Sequence, residues 1–344
     1  MLTQLATTEL ESGLPAGYLL RGATLDDLPE AVAMFNACSR QLIGADEFTL
    51  ENYQREWQIP LLNLSEDVQA VIAPDGQLVG CMEVWDLFDP HTRVEIWGSV
   101  HPDHQGHGIG AALLRWAEDR ARCAIPRAPA DARVAMLGWV HSADTAADTA
   151  FQRAGFNLIR HSYRMRIDLN GAVPTPIWPP GITVRTFVPS QDERATLQAE
   201  RDSFHDHWGF VERPFEQDLQ RFMHFMNTPD FDPALWFLAT DGDRIAGIAL
   251  CRPSIDDDPE MGWVDTLGVR REYRRQGVGL ALLEHAFREF HRRGKPRVGL
   301  FVDASSLTGA TRLYERAGMH AYRQFNRYEK ELRPGVELST QKIE

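Results

Sequence analysis

The chain contains few cysteines and no long apolar segment. Its four cysteines, Cys38, Cys81, Cys123 and Cys251, form no Cys-X-X-Cys pair, a usage that indicates a reducing compartment and no metal site. No run of about 18 apolar residues occurs, so we expect no membrane-spanning helix. The first residues, MLTQLATTELESG, lack the basic start and the apolar core of a signal peptide. We therefore expect a cytoplasmic protein without a metal.

Positively charged residues are fewer than negatively charged ones. The chain has 36 Lys and Arg residues and 49 Asp and Glu residues, which gives a formal net charge of −13. This balance argues against nonspecific nucleic-acid binding and against docking on an anionic membrane. It favours cationic substrates only weakly, because an acidic balance often serves solubility alone. A length of 344 residues with 43% hydrophobic residues predicts two domains with ordinary cores.

One short glycine-rich signature occurs twice. The segments QGHGIG (105–110) and RRQGVG (274–279) both read as Arg or Gln, two residues, Gly, one residue, Gly. Each follows an apolar strand-like run and opens a helix-like run. At such a turn, backbone N–H groups and the helix N-terminus converge on a pyrophosphate. The sequence therefore predicts two phosphate-binding loops.

The two halves match along most of their length, as expected for a domain duplication. Each contains a hairpin signal, Asp75-Gly76 or Asp241-Gly242, between two apolar runs. A stretch with four prolines separates the halves and predicts an extended linker. The predicted organisation is an N-terminal domain (1–168), a Pro-rich linker (169–181), a C-terminal domain (182–332) and a polar tail (333–344).

The paired loops and their flanking elements resemble the GNAT (Gcn5-related N-acetyltransferase) superfamily. The resemblance covers most of residues 19–162 and 182–328 and implies an α/β fold, with two GNAT domains in tandem and a mixed α+β sheet flanked by helices in each. The layout is similar to that of mycothiol synthase-type two-domain acetyltransferases. The segment HDHWGF (205–210) and Trp263 depart from that type, so the acceptor stays open.

The resemblance implies that acetyl-CoA, as co-substrate, binds the strand end, the loop and the helix start of each half. In the second half these residues are Leu267, Gly268, Val269, Arg274, Arg275, Gln276, Gly277, Val278, Gly279 and Leu280, with Thr308. In the first half they are Ser99, Val100, Gln105, Gly106, His107, Gly108, Ile109 and Gly110. His107 is either a phosphate contact or a solvated loop residue.

The second half carries two candidate catalytic residues. The segment LYERAGM (313–319) matches the LYExxGF pattern of the family, so the resemblance implies that Tyr314 is the acid that protonates the leaving thiolate. The alternative for Tyr314 is a packing aromatic. Side chains alternate along a strand, so we expect Trp263, Asp265 and Leu267 to share one face. Asp265 is an ionisable residue in this apolar strand, where a base or a water-orienting residue occurs in the family. The alternative for Asp265 is a carboxylate that anchors a loop.

The first half lacks both groups. Phe151 stands where the tyrosine is expected, and Val94 and Ile96 stand at the places that match the base. Glu95 has the opposite parity, so we expect it to point away from the site. The first domain is therefore predicted to be catalytically degenerate.

The acceptor side of the second half is predicted on the segment 201–210. Asp202 and Asp206 are four residues apart, with His205 nearby, and two carboxylates there would attract an ammonium group. The alternative is a solvated helix end. His205 and His207 suggest a metal, but no third ligand has a clear spacing.

The predicted activity is N-acetyl transfer from acetyl-CoA to a primary amine of a small molecule, by direct attack in a ternary complex in the C-terminal domain. The alternatives are a non-catalytic acyl-CoA-binding or scaffold protein, or an acetyltransferase that acts on a protein or peptide amine. A different acyl group, such as succinyl, is also open. So are the oligomeric state and the occupancy of the first loop.

Overall fold

The computed structural model describes residues 13–171, 173–228, 230–306 and 309–342. They form two compact units. Unit 1 contains the described residues up to Arg160 together with Phe325–Glu337, and unit 2 contains His161–Gln324 together with the described residues from Leu338 onward. Each unit is therefore built from two separate stretches of the chain.

Unit 1 contains the first glycine-rich loop. Its first five strands are β1 (Leu19–Gly22), β2 (Val68–Ile72), β3 (Leu78–Trp85), β4 (Arg93–Val100) and β5 (Val134–His141). Its helices are α1 (Leu28–Ile43), α2 (Leu50–Trp57), α3 (Leu64–Asp67), α4 (Ile109–Ala121) and α5 (Thr145–Arg153). The predicted hairpin is formed by β2 and β3, and Gly76 at its turn has φ 91°, a conformation that favours glycine.

The sheet of unit 1 is mixed, and helices cover both of its faces. Its strands are antiparallel except for β4 and β5, which run parallel. One face packs on α1 and α2 through an apolar cluster centred on Phe35 and Trp57. The other face packs on α4 and α5 through a cluster that includes Leu113 and Phe151. Full burial of such side chains contributes about 1.5–3 kcal/mol each.

Unit 2 repeats this plan. Its strands within the second half are β7 (Ile182–Thr186), β8 (Trp236–Asp241), β9 (Arg244–Arg252), β10 (Met261–Val269) and β11 (Arg297–Asp303). Its helices are α6 (Glu193–Phe204), α7 (Phe215–Met226), α8 (Val278–Arg292) and α9 (Ala310–Arg316). Strands β10 and β11 form the parallel pair, and their neighbours are antiparallel. Helices α6 and α7 pack on one face, and α8 and α9 on the other.

The last strand of each sheet comes from the other sequence repeat. Strand β6 (Asn157–Asp168) follows α5, but its residues Ser162–Asp168 pair with β11 in unit 2. Strand β12 (His320–Arg333) follows α9, but its residues from Phe325 onward pair with β5 in unit 1. The compact units thus differ from the sequence repeats at their final strands.

One ion pair occurs at the same place in both units. Arg21, at the end of β1, binds Asp27 through two hydrogen bonds of 2.7 and 2.6 Å. Arg185, at the end of β7, binds Asp192 in the same way, at 2.6 and 2.8 Å. Hydrogen bonds from the arginine hold the pKa of each carboxyl below its usual value. This contact fixes the entry of the first long helix in each unit.

The expected fold class, two mixed sheets flanked by helices, is confirmed. Among the described helices, none is long and apolar enough to cross a membrane.

Candidate active site

The two parallel strands of unit 2 pair only over their first halves. Met261–Val264 of β10 pair with Arg297–Leu300 of β11, and the pairing ends there. Unit 1 repeats this geometry, since Arg93–Ile96 of β4 pair with Ala135–Gly138 of β5. Beyond these points the strands no longer satisfy one another's backbone groups. The two strands therefore separate into a slot in which an extended ligand could lie.

The second glycine-rich loop has the geometry of an anion cradle. Arg275 and Gly277 have φ values of 62° and 98°, and Gly277 is the N-cap of α8. The first-turn N–H groups of Val278 and Gly279 have no acceptor within the helix. A Cβ atom added at Gly277 would meet no atom within 4 Å, so the cradle is open. The structure thus brings the predicted loop residues 276–280 together at one helix N-terminus.

The predicted strand-end residues lie beside this loop. Leu267, Gly268 and Val269 end strand β10. Gly268 allows a close approach of α6, because a Cβ atom there would lie 2.9 Å from Cβ of Ser203. The strand end, the loop and the end of α6 therefore form one packed corner. Thr308 lies outside the described residues.

The two loop arginines have different surroundings. Arg274 is held by protein groups: its guanidinium binds both carboxylate oxygens of Asp206, its Nη2 donates to Ser203 O at 2.8 Å, and its Nε donates to Val269 O at 3.0 Å. Arg275 is exposed and has no carboxylate partner in the described part of the chain. Arg275 is therefore accessible to a ligand, whereas Arg274 holds the loop against α6.

Tyr314 lies on α9 in the same apolar cluster as Val264 and Leu300, the last paired residues of the slot. It is buried, and desolvation raises the pKa of its hydroxyl to about 12. The group therefore keeps its proton at neutral pH, which an acid toward a thiolate requires.

Asp265 occupies a β-bulge. The β9–β10 register passes from Val264 opposite Cys251 to Thr266 opposite Leu250, so Asp265 has no partner on β9. Such a bulge re-aims a side chain. Arg252 Nε donates to Asp265 Oδ2 at 2.7 Å. The carboxylate is open to solvent on one side, with 37% exposure, and is otherwise surrounded by protein.

The electrostatics of Asp265 contain opposing contributions. Desolvation raises its pKa, whereas the charge and the hydrogen bond of Arg252 lower it, and the net direction is upward. A carboxyl with a raised pKa is a better proton acceptor than an ordinary surface aspartate.

The bulge also corrects a sequence expectation. Strict alternation predicts that Trp263, Asp265 and Leu267 share one face. This is wrong, because the bulge shifts the parity: Val264 and Leu267 both pack on the α8 side, whereas Trp263 belongs to a separate cluster. Asp265 lies on the Trp263 side, with Arg252 opposite Trp263 on β9. Tyr314 and Asp265 therefore approach the slot from opposite faces of the sheet.

The predicted acceptor residues do not meet at the slot. Asp206 is bound to Arg274, and Asp202 pairs with Arg270 at 2.9 Å. Asp202 and His205 line a cavity of about 630 Å³ on the face of α6 that points away from the sheet. Ala199 is buried on the sheet side of the same helix. The cavity is therefore separate from the residues around Asp265.

The acceptor side of unit 1 is filled. Phe35, Phe48, Tyr53 and Trp97 stack there, with ring centroids 4.5–6.0 Å apart. Behind them, the buried Glu83 accepts hydrogen bonds from three aromatic side chains, those of Tyr53 (2.5 Å), Trp57 (2.8 Å) and Trp85 (2.9 Å). This group of four rings, called the aromatic plug below, occupies the face of unit 1 that is equivalent to the predicted acceptor side of unit 2.

Two further expectations for unit 1 concern Phe151 and Glu95. Phe151 lies over Gly138, at the base of the slot, and has no proton to donate. Glu95 does not point away as expected. Val94 and Ile96 pack on the α4 side, so Glu95 lies on the α1 side, where it is ion-paired with Arg327. The reason is that β4 has no bulge, so its parity differs from that of β10.

The first glycine-rich loop is partly covered by its own chain. Gly106 and Gly108 have φ values of 78° and 83°, like the second loop. However, a Cβ atom at Gly108 would lie 3.2 Å from the carbonyl oxygen of Gly13, and the hydroxyl of Tyr18 is 2.9 Å from Nδ1 of His104. A carbonyl oxygen repels a phosphate. His107 contacts the backbone oxygen of His104 at 3.3 Å.

The remaining predicted residues of the first half sit as the motif requires. Ser99 and Val100 end strand β4, Gln105 opens the loop, and Ile109 and Gly110 begin α4. Among the described residues, no group of three or more His, Cys, Asp or Glu side chains is arranged to hold a metal ion.

Comparisons with known proteins identify the family of the chain. The model of the acetyltransferase (GNAT) family matches residues 32–156 and again 196–319. A mycothiol acetyltransferase of Streptomyces bingchenggensis (strain BCW-1) is 32% identical over 257 residues, which cover 72% of this chain and 76% of the relative. A mycothiol acetyltransferase of Streptomyces scabiei (strain 87.22) is 32% identical over 265 residues, or 75% of this chain and 78% of the relative.

Solved structures give the same result. A GCN5-related N-acetyltransferase from Sphaerobacter thermophilus has a TM-score of 0.79 and 35% identity, over 95% of this chain and 100% of that chain. A tandem GNAT protein from the clavulanic acid biosynthesis pathway has a TM-score of 0.70 and 16% identity, over 93% of this chain and 100% of that chain, a likeness of fold alone. The chain belongs to the GNAT acetyltransferase family and is an acyltransferase with two GNAT domains in tandem.

Proposed function

We propose that the protein transfers an acetyl group from acetyl-CoA to a primary amine of a small molecule, and that this happens in the C-terminal repeat alone. The observation that carries the proposal is an open cradle at Gly277 in the same unit as the bulged Asp265 and the buried Tyr314. The relatives named as mycothiol acetyltransferases favour a small-molecule acceptor.

The residues of the second loop fit acetyl-CoA. The open cradle at Gly277 and the unpaired first-turn N–H groups suit a pyrophosphate. Arg275 adds an exposed positive charge, and the slot between β10 and β11 beyond Val264 and Leu300 suits an extended amide-containing arm. When bound, acetyl-CoA supplies an activated thioester acyl group.

The chain's own groups then move two protons. Asp265 accepts a proton from the acceptor ammonium, directly or through a water, so that the amine can attack. Tyr314 gives its phenolic proton to the leaving sulfur. The backbone N–H groups near Val269 orient the carbonyl. In this proposal the amine attacks the thioester directly, with both substrates bound in one ternary complex.

The N-terminal repeat is proposed to be non-catalytic. Phe151 replaces the acid, the aromatic plug fills the acceptor side, and the carbonyl of Gly13 covers the loop. A protein or peptide amine as acceptor, and a purely scaffolding role, are the competing functions.

Calorimetric titration with acetyl-CoA tests the proposal, with the Gly277→Ala variant and the matched Gly108→Ala variant. We expect one site per chain. Gly277→Ala should weaken binding about 10-fold or more, because an L residue with φ near 98° is strained and its methyl group fills the cradle. Gly108→Ala should leave affinity unchanged. Two sites would contradict a closed N-terminal loop, and no binding would favour the scaffold.

A further inference from the structure

We propose that Arg252 is a positioning residue for the reaction: its guanidinium holds the carboxylate of Asp265 in one orientation at the bulge. The inference rests on the proposed function, since it acts through Asp265.

The geometry of the bulge creates a need for such a partner. Asp265 has no cross-strand partner, because the register skips it between Val264 and Thr266. A side chain at an unpaired bulge is free to take other rotamers unless a neighbour holds it. Arg252, opposite Trp263 at the end of β9, donates from Nε to Asp265 Oδ2 at 2.7 Å. The contact links the two strands where the slot begins.

Arg252 is itself held by charge. The acidic side chains of Asp256 and Asp230, in addition to Asp265, favour its positive form, and its pKa is raised although burial opposes this. The groups that act on Asp265 are the Arg252 guanidinium and the Trp263 side chain, both of which favour its ionised form against desolvation. Burial raises the pKa of the Cys251 thiol, on the same strand as Arg252, and the negative charge of Asp265 adds to this rise.

These contacts give Arg252 a defined effect. Burial pushes the carboxyl of Asp265 toward its protonated form, and the arginine opposes this push. Without Arg252, Asp265 would carry a proton at a higher pH and its rotamer would no longer be fixed. The carboxylate would then be ionised over a narrower pH range and held in one orientation in a smaller fraction of molecules. The binding of acetyl-CoA would not change, because Arg252 does not contact the glycine-rich loop.

The test uses the full-length chain with Arg252→Gln, Arg252→Lys and Asp265→Asn. The control is Arg297→Gln, because Arg297 makes a matched Nε–Oδ2 contact of 2.8 Å with Asp258 at the start of β11. Carboxyl ¹³C NMR titration follows Asp265, whose signal is identified by its loss in Asp265→Asn. We expect Arg252→Gln to move the titration midpoint up by about one pH unit or more, and Arg297→Gln to leave it in place.

Activity is followed as CoA thiol release from acetyl-CoA with a panel of primary amines that contains amino sugars and amino acids. With the amine turned over fastest, Arg252→Gln should lower kcat/KM about 10-fold at pH 7 and move its acidic limb upward. The KM for acetyl-CoA should stay within about twofold. Arg252→Lys keeps the charge but not the planar fork, so it should preserve the titration midpoint while losing part of kcat.

The outcomes separate the two proposals. A large loss in Asp265→Asn together with an unmoved midpoint in both Arg252 variants would overturn the positioning role and leave the proposed function intact. Wild-type turnover in Asp265→Asn would remove the base from the proposed function, whatever Arg252 does to the midpoint. A midpoint that also moves in Arg297→Gln would show a general charge effect and would overturn the specific role of Arg252.

Discussion

At the scale of single residues, burial prepares Tyr314 for its proposed task. Desolvation raises its pKa from 10.0 to about 12, so the phenol stays protonated at neutral pH. The same shift affects stability. Below pH 10 the phenol is protonated in both the folded and the unfolded chain, and above that only the unfolded chain ionises readily. Its contribution to stability is therefore lost as the pH rises from about 10 to about 12.

Tyr314→Phe tests the acid role. We expect kcat to fall about 100-fold, since loss of a general acid costs 10²–10⁴-fold, while the KM for acetyl-CoA changes little because the ring still packs. The measurement is steady-state kinetics of CoA release. Tyr322→Phe is the control, as Tyr322 is a partly buried tyrosine of β12 that contacts Arg166 and Arg323. Equal kcat in wild type and Tyr314→Phe would assign this residue to packing.

At the scale of elements, the second loop depends on a contact with helix α6. Arg274 joins Val269, Ser203 and Asp206, so one side chain holds the strand end, the loop and the helix end in register. Burial disfavours the ionised form of Asp206, but the hydrogen bonds and charge of Arg274 outweigh it and lower the pKa. Such a charged contact stabilises by about 1.5–3 kcal/mol. It is present above the usual pKa of an aspartate and is lost as the pH falls below it.

Asp206→Asn should therefore weaken the binding of acetyl-CoA without slowing the chemical step. We expect the KM for acetyl-CoA to rise about 3- to 10-fold with kcat nearly unchanged, because Arg274 loses its fixed orientation while Asp265 and Tyr314 are untouched. Asp218→Asn is the control, since Asp218 forms a similarly buried pair with Arg201 away from the loop. A fall in kcat without a change in KM would place Asp206 in acceptor binding, as its sequence position first indicated.

The elements also show what the sequence could and could not predict. The glycine spacing predicts the αL turns at Gly108 and Gly277, because few other residues adopt that backbone conformation. The hairpins follow from local turn chemistry in the same way. The alternation of the sequence does not predict the bulge at Asp265, because the register of a strand depends on its partner strand. A hairpin register that places Arg252 opposite residue 263 is a signal that could have indicated it. The partner of Arg274 was missed too, because Asp206 is 68 residues away.

At the scale of the whole molecule, the exchange of final strands makes each unit depend on both repeats. Strand β12 brings Tyr328, which is fully buried, into the core of unit 1. It also brings Glu329 and Glu331, which bind Arg133, and Lys330, which binds Glu118. Strand β6 likewise closes the sheet of unit 2 against β11. A local sequence pattern cannot reveal this exchange, because either repeat satisfies the same hydrophobic alternation.

This exchange predicts that neither repeat folds alone. A fragment of residues 1–174 keeps β6 but lacks β12, so β5 is left with an unpaired edge and unit 1 loses the burial of Tyr328, worth about 1.5–3 kcal/mol, and its ion pairs. A fragment of residues 175–344 lacks β6 and exposes the edge of β11.

We expect each fragment to show no cooperative thermal unfolding by circular dichroism. An equimolar mixture of the two fragments should regain cooperative unfolding and form a 1:1 complex in light scattering. The intact chain cut by a protease in the Pro-rich linker is the control and should remain folded. A fragment 175–344 that unfolds cooperatively and binds acetyl-CoA by itself would contradict the exchange, since that unit would then complete its sheet with its own β12.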